Sequence, residues 1–207
     1  MTTISFDGRY LAADGFTFRS NALVARDKTK ITLHEGVAYA MTGAANWLAE
    51  WIVWAQNGSD PKWTPPHSLG DEGSSLIRIV PVGNRGLIAE TCCWHLPYWG
   101  EDRAPTAWGS GMDFAIGAMD AGANAMEAVR IASARNTTTG GTIRFVDFEF
   151  YDRGVQVWDG AMPTTRFPMP LGKGAEANAE SLLRPATVAP DLASPRPGGP
   201  WKPRGFA

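Results

Sequence analysis

From Thr2 to Thr42, apolar residues alternate with polar ones over short runs broken by turn chemistry, the period-two signature of antiparallel strands. ISF and RYLAA flank Asp7-Gly8, a hairpin signal in which both turn positions call for positive φ. KITL and VAYAMT flank His34-Glu35-Gly36 in the same way. About four strands are expected here. At Gly43 the period changes. AANWLAEWIVWAQNG sets Trp47, Trp51 and Trp54 at i, i+4 and i+7, with Leu48, Ile52 and Ala55 beside them, predicting a helix over 44–57 closed by Gly58.

PKWTPPHSLGDEG reads as a loop. SSLIRIVPV and LIAETCCWH, joined by Gly83-Asn84-Arg85-Gly86, form a third expected hairpin, and the Pro- and Trp-rich stretch up to Ala107 is expected to be a loop. Gly109-Ser110-Gly111 opens a helix over MDFAIGAMDAG, whose glycines imply close packing. A further helix, NAMEAVRIASAR, carries Asn124 and Glu127 as a capping pair and Ala125, Val129 and Ile131 on its apolar side. After Thr139-Gly140-Gly141, TIRFVDFEF and GVQVWDG, joined at Asp152-Arg153-Gly154, are expected to pair as strands. The order of elements predicts an α+β fold: two stacked antiparallel sheets with helical layers outside.

Composition narrows the class. The 207 residues, 44% hydrophobic and 19% charged, suffice for one domain with a substantial core, and the pattern assigns that domain to residues 1–160. Residues 161–207 lose the periodicity and gather prolines, which predicts an extended carboxy-terminal arm with no core of its own. A net charge of -2 leaves no electrostatic footprint for nucleic acid or an anionic membrane. No apolar run reaches the roughly 18 residues of a membrane span, and the amino terminus lacks a basic region and an apolar signal core, so a cytoplasmic location is expected. Cys92 and Cys93 are sequence neighbours and are read as reduced thiols; with His95 they lack a second ligand pair at zinc spacing, so they read as packing.

Candidate chemistry lies at the amino terminus. A small second residue favours removal of the initiator methionine, which would give Thr2 a free α-amine beside its own hydroxyl, nucleophile and base on one residue. An α-amine with an ordinary pKa of about 7.7–8.0 is partly neutral at working pH and can accept the Oγ proton. A nearby cation would lower that amine's proton affinity and stabilise an alkoxide; Lys30 is the candidate, with Asp14 as the carboxylate a buried lysine needs. Gly43, at the start of the tryptophan helix, can offer an unobstructed N–H to an oxyanion.

Thr2-Thr3-Ile4, Ala13-Asp14-Gly15, Lys30-Ile31, Thr42-Gly43, Gly109-Ser110-Gly111 and ARNTTTGG at 134–141 together resemble the N-terminal nucleophile hydrolases of the proteasome β-subunit type. That group includes the bacterial HslV peptidase and shorter proteasome-like proteins encoded by phages and prophages. The resemblance covers about Thr2 to Phe150. It implies Thr2 as nucleophile, Lys30 as the tuning charge, Asp14 as its partner and Gly43 as oxyanion donor. It further implies Ser110 as a hydroxyl near the amine and Thr139 in the position of a serine of similar role. It implies a four-layer αββα sandwich, a homo-oligomeric ring, a polypeptide substrate, no cofactor, and a possible ATP-driven (AAA+) unfoldase partner. Two positions depart from the pattern. Asn136 stands where many members carry an aspartate, and Phe18 where a small hydroxyl residue is frequent. The alternative expectation is a catalytically silent member serving as a structural or assembly component, in a phage particle with other virion proteins.

Overall fold

The computed structural model describes residues 2–19, 21–43, 47–59, 74–93 and 96–161. The expected arm at 161–207 lies, apart from Ala161, outside the described residues, as do the loop over 60–73 and His95.

The chain is α+β, with three antiparallel sheets. One five-stranded sheet runs β10 (Thr106–Gly109), β1 (Thr3–Phe6), β2 (Tyr10–Ala13), β11 (Arg144–Asp147) and β12 (Gln156–Val157). The other runs β5 (Ile31–His34), β6 (Val37–Thr42), β7 (Ser75–Pro81), β8 (Leu87–Cys93) and β9 (Leu96–Asp102). A hairpin of β3 (Thr17–Arg19) and β4 (Ala22–Ala25) forms the third. The helices are α1 (Leu48–Gln56), α2 (Met112–Asp120) and α3 (Ala125–Arg135).

Period-two alternation explains how the sheets are covered. Ile4, Phe6, Leu11, Ala13 and Val146 share one buried cluster with Ile31, Ala38, Ala40, Ile77, Ile79 and Ala89 of the other sheet. The intervening residues of β6, Val37, Tyr39 and Met41, pack instead with Trp51, Ile52 and Trp54 of α1. Tyr10, Ala12 and Phe145 likewise pack with Ala125, Met126 and Val129 of α3. Both faces of β1, β2 and β6 are therefore covered, and these strands are buried throughout. Among the described residues, no helix is long and apolar enough to cross a membrane.

Several elements differ from expectation. The stretch expected as a loop up to Ala107 forms β9 and β10, because backbone pairing with β8 and β1 organises it where side-chain alternation gives no signal. The strand expected to run through Phe150 stops at Asp147, whose carboxylate accepts from the Glu149 N–H and caps a 3-10 segment, Phe148–Arg153. Helix α1 begins only at Leu48, with Trp47 in its N-cap position; residues 44–46 are outside the description. At Asp7-Gly8 only Gly8 has positive φ, since Asp7 makes the turn by accepting the Arg9 and Tyr10 N–H groups on its side chain. Glu35-Gly36 does take positive φ at both positions, and Gly58 (φ +86) follows α1 as expected.

Candidate active site around Thr2

Strand β1 runs between β10 and β2, so its first residues sit inside the sheet. The Thr2 carbonyl accepts from the Ser110 N–H at 2.8 Å, just beyond β10. Gly109 (φ +90) must be glycine here, because a Cβ would collide with that carbonyl oxygen. Thr2 is 2% exposed and Thr3 fully buried.

Asp14, at the end of β2, is the hub. Its Oδ1 accepts from the Thr3 N–H at 2.9 Å and from Lys30 Nζ at 2.7 Å. Its Oδ2 accepts from the Phe16 and Gly140 N–H groups at 3.2 and 3.1 Å. Lys30 precedes β5 in the facing sheet and is 2% exposed, yet it keeps this carboxylate. Burial pulls its pKa below the ordinary lysine value, while the charge and hydrogen bond of Asp14 oppose that fall without cancelling it. Because Lys30 Nζ and the Thr3 N–H share one oxygen, the ammonium stands beside the Thr2–Thr3 peptide.

A second set of groups closes the other side. Thr3 Oγ1 and Thr139 Oγ1 are 2.6 Å apart, both buried, and Gly111 leaves no room for a Cβ between them, which would approach Thr139 Oγ1 to 2.9 Å. Ser110 Oγ lies 3.4 Å from the Thr2 carbonyl oxygen and 3.0 Å from Thr138 Oγ1. Asn136, the C-cap residue of α3, donates from Nδ2 to the Ser110 carbonyl at 2.6 Å.

Five of the six candidates are thus gathered by hydrogen bonds: Thr2, Asp14, Lys30, Ser110 and Thr139. Gly43 is not joined to them by a hydrogen bond between described residues. It follows β6 with φ +70 and packs so closely on Ser74 that a Cβ would clash. Phe18 makes an edge-to-face contact with Phe16, whose ring lies over Gly140. Thr3, Thr138 and Gly140, none of them among the six candidates, are brought to the site by the fold. The signal available for them was their adjacency to Thr2, Thr139 and the Gly-Gly turn, since neighbouring residues on a strand or turn present both faces to a site.

Scanned against protein-family models the chain gives no match, and a search of curated proteins gives none.

Proposed function

We propose that this chain is a threonine peptidase of the N-terminal nucleophile type, active once whatever precedes Thr2 has been removed. The observation that carries the reading is the buried Lys30–Asp14 pair hydrogen-bonded to the Thr2–Thr3 peptide. A buried ion pair is a poor source of stability compared with apolar residues of like volume. A cation set beside a terminal α-amine and hydroxyl gives this one a chemical purpose.

In the reaction, Thr2 Oγ attacks the scissile carbonyl carbon while the α-amine takes the hydroxyl proton. The tetrahedral intermediate then breaks its C–N bond, the ammonium returns that proton to the departing amine, and an ester remains on Thr2. Water adds to the ester with the amine again as base; the C–O bond breaks and Oγ recovers the proton. Lys30 favours the neutral amine by charge repulsion and stabilises the developing alkoxide. The oxyanion role falls to the Gly43 N–H at the end of β6.

The same reading takes the fold as a four-layer αββα sandwich, supported by the cluster shared between the two large sheets and by the helices packed on their other faces. It takes polypeptide as substrate, a homo-oligomeric ring as the working state and an AAA+ unfoldase as feeder. Hydrolysis of a panel of fluorogenic peptides tests it. Thr2→Ala should cut turnover by at least about a hundredfold, while Thr2→Ser keeps a measurable rate. Equal turnover in wild type and Thr2→Ala would refute the mechanism, and a trimmed wild type that neither hydrolyses peptides nor takes a threonine-directed electrophile would favour the structural-component reading.

A further inference from the structure

Ser110, Thr138 and Asn136 form a run of hydrogen bonds whose direction follows atom by atom, and what it implies rests on the peptidase reading above. Asn136 Nδ2 donates to the Ser110 carbonyl at 2.6 Å. Its Oδ1 accepts from the Thr138 N–H at 2.8 Å and from the Thr138 hydroxyl at 2.6 Å. The opposite amide orientation would press Oδ1 against the Ser110 carbonyl oxygen and an NH2 group against the Thr138 N–H, so the network allows only one. An amide oxygen has no hydrogen to give. Thr138 therefore donates its single hydroxyl hydrogen to Asn136, and its 3.0 Å contact with Ser110 Oγ must run from Ser110 to Thr138. The alternative acceptor for the Ser110 hydrogen, the Thr2 carbonyl, is 3.4 Å away, where a hydrogen bond is weaker.

We infer that Thr138 is a positioning residue, which takes the Ser110 hydrogen and so leaves the Ser110 oxygen, 3.4 Å from the Thr2 carbonyl oxygen, as an acceptor for the amine of Thr2 once it is freed. When that amine takes the Oγ proton it becomes an ammonium with N–H groups to donate, and an acceptor oxygen beside it stabilises this state. A Ser110 hydroxyl turned the other way would donate to the amine's lone pair and compete with the proton transfer. The relay ends on a neutral amide, so it orients the hydroxyl without accepting the proton. This gives a role to asparagine at 136: an aspartate there could not donate to the Ser110 carbonyl.

The test uses the full chain released from a cleavable fusion so that it begins at Thr2, with acylation by a β-lactone electrophile followed by intact mass at one pH. Thr138→Val should slow acylation about three- to tenfold, the worth of one oriented hydrogen bond, and Thr138→Ala should do the same without added branching. Thr138→Ser should restore the rate to within about twofold. In the double variant Thr138→Val with Ser110→Ala, acylation should be no slower than in the slower single variant, because Thr138 acts through Ser110. Thermal midpoints measured alongside should stay together. Wild-type rates in Thr138→Val and Thr138→Ala, no rescue by serine, or losses that add in the double variant would overturn the relay alone. A wild type beginning at Thr2 that takes no electrophile would overturn the nucleophile assignment and the relay with it.

Discussion

Asp14 shows how one carboxylate can organise a site. Two of its donors, the Thr3 and Gly140 N–H groups, come from strands and turns far apart in sequence, a third from Phe16 next along the chain, and the fourth is the buried ammonium of Lys30. Asp14→Ala leaves that ammonium without its carboxylate and should cost about 3–5 kcal/mol, read as a lower urea midpoint. Replacing both partners with Asp14→Leu and Lys30→Met should recover only part of this loss, because the Thr3 and Gly140 N–H groups still lose their acceptor, while acylation at Thr2 stays abolished. Recovery of acylation in the apolar pair would show that the charge has no chemical part. Asp14 and Lys30 were legible in the sequence because Ala-Asp-Gly and a lysine heading an alternating apolar run are local patterns. The Thr3–Thr139 hydroxyl pair was not, since its partners stand 136 positions apart and meet only through sheet pairing.

At the scale of elements, covered faces decide what the sequence reveals. The tryptophan stripe of α1 and the Asn124 cap of α3, which accepts the Glu127 N–H at 2.9 Å, were readable from spacing alone. Strands β9 and β10 were not, because their residues are organised by partners in β8 and β1. Strand β2 carries a consequence for alkaline stability. Tyr10 packs against Phe145 and stands opposite Asp147, and its phenol is pushed up to about 12, chiefly by burial and next by the Asp147 charge, with Arg9 opposing. Between about pH 10 and the native value, the unfolded chain has released the proton that the folded chain keeps, so stability falls as pH rises. Lys30 acts with the opposite sign: its native value is lowered, so between that value and 10.5 the unfolded chain binds more protons and stability rises with pH. Urea midpoints at roughly pH 9 and pH 11 should therefore drop more in wild type than in Tyr10→Phe. Identical drops would contradict the burial of the phenol.

For the whole molecule, the two large sheets meet through a common apolar cluster, and both strands that deliver the site emerge from it: β1 and β2 from one sheet, with Lys30 at the head of β5 from the other. The meeting of the sheets is why Lys30 at the head of β5 and the Thr3 N–H of β1 share one oxygen of Asp14 beside Thr2. The alternating pattern made the α+β class legible, but not that β1, β2 and β6 would be covered on both faces, because alternation reports one apolar face and stays silent on a second supplied by helices. The central claim, that Thr2 becomes a terminal nucleophile, is tested most directly by intact mass of the natively produced chain before and after a threonine-directed β-lactone. The account predicts a chain that begins at Thr2 and gains a single adduct, mapped to that residue and absent from Thr2→Ala. A chain that still carries Met1, or a trimmed chain that stays unmodified or is modified elsewhere, would contradict it.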